Sequence, residues 1–399
     1  MIVAAALASL GSSAGWHRHA ADMVTAQGST QPVPSSIPVG LSTVFVIVME
    51  NRNWSSIKGS TDAPYINHTL LSIGAHAEQY YNPPSMHPSE PNYIWLEAGS
   101  NLGINNDYDP SSNHQSTTNH LVTLLNNAGI TWKAYAENID GTSCPLTSAG
   151  NYAARHVPFL YFDDVTGVIN PTSAYCIQHV RPYSELAGDL QHNIVSRYVF
   201  IAPNLCDDMH NACAPLNNQV QQGDAWLSQQ LPQILRSSAY QNGGAIFITW
   251  DEGEGGSDGP IGLIALSPYV RSGYASTLPY THSSLLRTIE ETLGLAQFLG
   301  DAANATGLGD LFSSTPTWAQ ATRFTLQRHG STVRFRWTLT HRAPGVGFAV
   351  YAGRHRLNRR TIPVHTATQY QYRAHWMGRG PFRLAVILAS GREITVAGR

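Results

Sequence analysis

Four unbroken apolar runs constrain this chain more than any other feature: TVFVIVM at 43–49, RYVFIAPN at 197–204, AIFITWDE at 245–252 and IGLIALSP at 261–268. Successive side chains of a strand point to opposite faces, so runs of this kind predict strands covered on both sides, as in a mostly parallel sheet. Helix-patterned stretches at 120–128, 225–235 and 283–295 are interspersed with them. The alternation predicts an α/β fold, a mostly parallel central sheet with helices on both faces.

Three of the runs end in polar ligands: Glu50-Asn51, Asn204 and Asp251-Glu252. Ligands of open parallel sheets bind beyond the carboxyl ends of the strands. Acids placed there are costly unless a cation or hydrogen bonds satisfy them. Each could merely cap a following helix, but caps do not require paired acids at successive strand ends. A second element is HPSEPNYIWLEAGS, in which Ser89 opens a helical run two residues before Pro91. A hydroxyl at a helix start faces backbone N–H groups and a dipole that favour an oxyanion or a phosphate; the plainer alternative is an N-cap.

The pattern changes beyond Trp318. Val333, Phe335, Trp337 and Leu339 alternate with Arg334, Arg336, Thr338 and Thr340, and Phe382, Leu384, Val386 and Leu388 repeat the period of two. This predicts a small antiparallel β-sandwich of the fibronectin type. The same segment carries fourteen arginines, no lysine and one acid, Glu393, within a chain whose formal net charge is −2. Three segments follow: a leader or flexible N-terminus at 1–40, an α/β body at 41–317 and a basic β domain at 318–399.

The opening MIVAAALASLGSSAG resembles the end of a secretory leader without its basic start. No apolar run reaches the roughly 18–20 residues that cross a bilayer. Four cysteines suit an oxidising compartment, and the expected pairs are Cys206–Cys213 and Cys144–Cys176, one of three possible pairings. A secreted or periplasmic protein is expected. Gly11-Ser12-Ser13-Ala14-Gly15 fits G-x-S-x-G but follows no strand, and no phosphate-binding G-x-x-x-x-G-K-[ST] loop occurs.

In order along the chain, MEN at 49–51, HPSEPNY at 87–93, PNLCDDMH at 203–210, TWDEG at 249–253 and THSSLLRTIEETLGL at 281–295 resemble the phosphoesterase family of bacterial acid phosphatases and phospholipases C, within the alkaline-phosphatase-like superfamily. The resemblance runs from residue 43 to 312 and leaves the basic segment out. It implies one divalent ion held by Glu50, Asn51, Asp251 and Glu252, with Ser89 as nucleophile and further ligand. It makes Asn204 and Asp208 remnants of a second metal site whose final histidine matches His282. With Asn204 in place of an aspartate, a tight second ion is not expected. His282 and His210 would instead bind a phosphate oxygen or protonate the leaving group, and Asp208 would hold a water. His87, Asn92 and Asn204 would line the substrate pocket. The stretch 135–137 and His156 also match family positions, to which a structural part is assigned.

The oxygen-rich ligand set admits Ca, Mg, Mn or Zn. The implied activity is metal-dependent hydrolysis of phosphoric esters, an acid phosphatase working through a phosphoserine. Alternatives are a phospholipase C-like diesterase and, in a different class, a non-catalytic protein that binds anionic surfaces. The partners expected are the phosphate ester and an anionic surface, phospholipid, polysaccharide or nucleic acid, held by Arg334, Arg336, Arg354, Arg356, Arg359 and Arg360. No obligate protein partner is inferred.

Overall fold

The structure is a computed structural model that describes residues 37–398 apart from 39, 315, 317–320, 340–346, 364–368, 379 and 388–392. The leader-like opening, the serine motif at 11–15, the boundary at residue 317, and Thr340 and Leu388 lie outside the described residues.

An eight-stranded sheet forms the body. Its strands are β1 (Thr43–Met49), β2 (Ala75–Tyr81), β3 (Trp132–Ala136), β4 (Val180–Pro182), β5 (Tyr198–Ala202), β6 (Gly244–Trp250), β7 (Leu263–Leu266) and β8 (Ala275–Thr281), in the order β4-β3-β5-β1-β6-β7-β2-β8. All four apolar runs are strands. Every residue of β1, β5, β6 and β7 is buried, at odd and even positions alike, so both faces of the central strands are covered. The three helix-patterned stretches become Leu121–Asn127, Gln219–Arg236 and His282–Leu293.

The sheet is mixed rather than wholly parallel. β7 pairs antiparallel with both β6 and β2, while the other neighbouring strands pair parallel. The segment between β6 and β7 holds only the short 3₁₀ turn Glu254–Gly256 and no helix to carry the chain across the sheet as a parallel pair requires. This reversal has a consequence for the site. Every strand but β7 points its carboxyl end to one edge, so the segments after β1, β2, β5, β6 and β8 emerge together there. The register pairs Met49 with Trp250, so Glu50 and Asp251 leave the sheet side by side.

The C-terminal strands form two antiparallel sheets, as the alternation predicts. One has the order β14-β10-β9, with β9 Ala321–His329, β10 Thr332–Leu339 and β14 Gln369–His375. The other has the order β12-β11-β15-β16, with β13 also paired to β11; these strands are β11 Gly347–Ala352, β12 His355–Arg356, β13 Ile362–Pro363, β15 Phe382–Ile387 and β16 Glu393–Gly398. Val333, Phe335, Trp337 and Leu339 are buried while Thr332 and Arg336 are exposed. Phe335 meets Phe382 and Trp337 meets Phe348, each at 5.3 Å between ring centroids, so the buried faces of the two sheets pack together as a sandwich.

Candidate active site

The adjacency of β5, β1 and β6 assembles the acids. Asp251 N donates to Met49 O at 2.9 Å, and Glu50 N donates to Asp208 O at 2.7 Å. The loop after β5 is thereby tied to the end of β1, although Asp208 is six residues beyond that strand. Gly223 permits this approach, because a Cβ there would lie 2.4 Å from the Met209 side chain. The Cys206–Cys213 disulfide closes the same loop, and Cys144–Cys176 is the second bridge. Both pairs are the expected ones.

Asn51 takes a left-handed backbone, φ 38°, which asparagine tolerates better than most residues. In that conformation its backbone N–H donates to Asp251 Oδ1 at 2.9 Å and its side-chain amide to Glu252 Oε1 at 2.8 Å. His87 Nδ1 stands 2.6 Å from Glu252 Oε2, and its Nε2 is 3.0 Å from Asp258 Oδ1. His87 therefore clamps the acidic loop rather than lying open to a substrate. Asn92, expected in the substrate pocket, is fully buried and donates to Met86 O and Pro88 O, bracing the turn before Ser89.

Ser89 is 3 % exposed and begins the helix Ser89–Ala98 without capping it. Its hydroxyl donates to Glu50 Oε2 at 3.0 Å, and Tyr93, one turn on, donates to Glu50 Oε1 at 2.6 Å. The N-cap alternative for Ser89 is thus not what the fold uses.

The third party at Glu50 is His156, a residue to which the sequence suggested only a structural part. Its ring stacks on Tyr93 at 5.0 Å, with Nε2 3.1 Å from Glu50 Oε1 and Nδ1 3.2 Å from Asp208 Oδ2. Neither contact is aligned as a hydrogen bond: His156 Nε2, Asp208 Oδ2 and also Asp251 Oδ2 are buried without a partner. Glu50, His156 and Asp208 each offer one donor atom, all within 4.8 Å of one another. Unpartnered buried donors converging in this way are what a divalent cation satisfies, so the residues fit a metal centre. Of the expected ligands, Glu50 belongs to this group, accepting also from Ser89 and Tyr93, and Asp251 Oδ2 is likewise unpartnered; Glu252 accepts from Asn51 and stands against His87, and Asn51 donates to both acids of the β6 end.

The electrostatics agree. Burial, then the Asp208 charge, pushes Glu50 well above the usual carboxylate range; burial, then Glu50 and Glu252, does the same to Asp251. Asp208 is also pushed well up, mainly by burial. Burial holds the His156 imidazole well down and hence neutral, the form that ligates metals.

Two expected residues are placed differently. His282 is fully buried, with Nε2 2.6 Å from the Asp251 carbonyl and Nδ1 3.0 Å from Tyr80 OH, and burial lowers its pKa to about 4. Both nitrogens are engaged, which corrects its expected role as proton donor: it fixes the backbone of Asp251. Asn204 turns to Glu137 Oε2 and Asp207 Oδ2, at 2.8 and 2.7 Å, so its amide serves the loop and not a substrate. His210 stays near the centre: its backbone N–H donates to Asp208 Oδ1, its Nδ1 stands 2.8 Å from Asn211 Oδ1, and its Nε2 is 3.4 Å from the Arg155 guanidinium.

Arg155 escaped the sequence reading altogether. It precedes His156, lies 3.6 Å from Asp107, which in turn accepts from the Glu90 N–H, and keeps a buried Nε without a partner. Nothing in its local sequence marks it. Its position between Asp107 and His210 comes only from the fold.

Residues 60–296 match the Phosphoesterase family. The chain belongs to that family. Similar curated proteins include the phosphatidylinositol-3-phosphatase of Mycobacterium tuberculosis, 32 % identical over 67 % of this chain and 82 % of its own length. The probable acid phosphatase of Kluyveromyces lactis is 25 % identical over 66 % of this chain, and the acid phosphatase of Aspergillus fumigatus 25 % over 69 %. The chain spans 63 % and 62 % of those two fungal relatives. Among solved structures, the lipoteichoic acid synthase LtaP of Listeria monocytogenes aligns over 77 % of this chain and 84 % of its own, at 10 % identity and a TM-score of 0.46. As a member of the Phosphoesterase family, the chain is a phosphoric ester hydrolase.

Proposed function

We propose that this phosphoesterase is an acid phosphatase that cleaves phosphate monoesters through a phosphoserine at Ser89. The observation that carries the reading is the buried Ser89 hydroxyl, hydrogen-bonded to Glu50 instead of capping its own helix. That bond fixes the Ser89 rotamer, and with a cation neutralising the buried acids Glu50 Oε2 would be the atom that takes its proton. The phosphatase names of the relatives favour a monoester over the diester alternative.

A divalent ion held by Glu50, His156 and Asp208, with Asp251 Oδ2 facing the same acids, would supply the positive charge that stabilises a serine alkoxide and the transferring phosphoryl group. An imidazole among the ligands favours Zn or Mn over Ca or Mg. Ser89 Oγ attacks phosphorus in line, forming the O–P bond while the bond to the leaving oxygen breaks. Arg155 donates N–H groups to the phosphate oxygens. As Arg155 turns from His210 Nε2, 3.4 Å away, to the phosphate, that nitrogen is freed; burial keeps the ring neutral, and it accepts a proton from the water that later hydrolyses the phosphoserine. His282, Asn51 and His87 keep Asp251 and Glu252 in place.

Two disulfides and the absence, among the described residues, of a helix able to cross a membrane support a secreted or periplasmic location. For partners we propose the phosphate ester and, through the arginine-rich C-terminal segment, an anionic surface.

Ser89→Ala tests the chemistry. It should lower kcat at least about 10³-fold with the fold and bound metal retained. Labelled substrate quenched in acid should mark Ser89 of the wild type, and a variant with near-normal turnover would refute the assignment.

A further inference from the structure

The six arginines singled out in the sequence do not form one face. Arg334 and Arg336 stand on β10, whereas Arg354, Arg356, Arg359 and Arg360 lie in the segment after β11. Glu393, the one acid of the segment, is near the second group, with its oxygens 2.6 Å from Tyr351 OH and 3.9 Å from Arg356.

The register of β14-β10-β9 shows what surrounds the first group. Its outward positions form rungs: Arg373–Arg334–Gln327, then Gln371–Arg336–Thr325, then Gln369–Thr338–Arg323. Arg373, Arg334, Arg336 and Arg323 thus trace a diagonal stripe across three strands, roughly 17 Å long from strand and rung spacings. These strands contain no Asp or Glu at all. Arg373 and Arg334 sit directly opposite each other, a pairing of like charges that costs stability. Arg334 Nε has no hydrogen-bond partner. A cleft of about 770 Å³ is lined by Arg323, Arg336 and the threonine and glutamine side chains of these rungs, with Ile362 and the buried Trp337 and Tyr370 also in its wall; Arg334 and Arg373 stand outside it.

We propose that this outer sheet face is a docking surface for an anionic polysaccharide. It rests on the anionic-surface reading above but not on the chemistry at Ser89. Charge complementarity selects a polyanion, and guanidinium forks match carboxylate, sulfate or phosphate groups bidentately. The glutamine and threonine side chains between the arginines offer neutral donors and acceptors suited to sugar hydroxyls. The exposed positions of the stripe carry no aromatic ring on which a nucleic-acid base could stack. Among the described residues, no large exposed apolar side chain stands on these three rungs to enter a bilayer; Met377 lies beyond the end of β14.

The test uses the full chain and Arg334→Gln/Arg336→Gln/Arg373→Gln, beside Arg354→Gln/Arg356→Gln/Arg359→Gln. Binding is measured by calorimetry against dextran sulfate, uncharged dextran, phosphatidylcholine–phosphatidylglycerol vesicles and single-stranded oligo(dT), at low and high salt. The expected result is salt-sensitive binding of dextran sulfate, weakened at least about tenfold by the first triple and little by the second. Circular dichroism and turnover of p-nitrophenyl phosphate should match the wild type in both. No binding of dextran sulfate, equal loss in both triples, or tighter binding of vesicles or oligo(dT) overturns the proposal. Wild-type binding without any p-nitrophenyl phosphate turnover would sink the phosphatase reading alone.

Discussion

Asp208→Asn should change the sign of its effect on stability according to whether metal is present. In the metal-free protein, Asp208 and Glu50 place donor oxygens within 4.8 Å of each other, both buried. At that separation and an effective dielectric of about 20, two full charges repel by about 3.5 kcal/mol. A proton shared between them relieves part of this, leaving a gain of about 1–3 kcal/mol for the neutral amide. Asparagine retains an oxygen for the bond from His210 N–H, 2.8 Å long in the wild type. Its new N–H₂ replaces an oxygen that has no partner and faces Glu50 and His156. In chelator the variant should therefore melt about 2–6 °C above the wild type. With divalent ion added, the wild type should gain stability as the logarithm of one plus the ratio of free ion to its Kd, and the variant much less, because an anionic ligand is gone. Differential scanning fluorimetry in EDTA and across a Zn or Mn titration, with metal content measured on the same samples, reads both effects. A variant less stable than wild type in chelator would refute the charge argument. Equal metal-induced shifts would show that Asp208 is not a ligand.

Arg155→Met should raise KM for p-nitrophenyl phosphate and lower kcat/KM about ten- to a hundredfold, with Arg155→Lys partly restoring it; unchanged kinetics would remove Arg155 from the phosphate site. Replacing Cys206 and Cys213 together by alanine should cost about 2 kcal/mol on a loop-entropy account and depress activity further, since the freed loop carries Asp208 and His210; chemical denaturation and kcat separate the two. Stability should also depend on pH through His120, which is fully buried between Glu97 and Asp164 at 3.0 and 2.9 Å. Burial alone would lower its pKa, but hydrogen bonds to Asp164 and Glu97 outweigh it and raise it to about 9. A raised folded pKa means the contribution is complete below the unfolded value near 6.5 and fades as pH climbs through about 9. Urea midpoints should fall over that window in the wild type and be flatter in His120→Gln.

The strands most legible in the sequence are those buried on both faces, because nothing polar interrupts them. β2 (AHAEQYY) and β8 (ASTLPYT) escape notice since their sides differ and charged or small residues break the pattern, with Glu78 on one and exposed Ala275 and Thr277 on the other. β4 is three residues long and ends in proline, which no periodicity reveals. The direction of β7 was equally hidden: an apolar run looks the same in either sense, and only pairing decides it. In the basic segment the period of two was decisive, since Val333, Phe335 and Trp337 had to share one face whatever the sheet order.

The site divides along the same line. Glu50, Asp251 and Ser89 were visible because each marks an interruption, an acid ending an apolar strand or a hydroxyl opening a helix. His156 and Arg155 mark none, since they sit in a short turn between β3 and β4 amid buried aromatics. Their chemistry comes from what stands opposite: Tyr93 under the ring, Glu50 and Asp208 at its edges, Asp107 beside the guanidinium. His282 failed for the converse reason. Its place at the start of a helix after β8 is the one expected, but Tyr80 OH and the Asp251 carbonyl occupy both nitrogens, and a spacing in sequence carries no information about such partners. A histidine whose two nitrogens are satisfied inside the protein holds its neighbours still. One whose nitrogens each stand against a carboxylate without an aligned hydrogen bond, Nε2 against Glu50 and Nδ1 against Asp208, is placed to bind a cation, and that distinction separates His282 from His156.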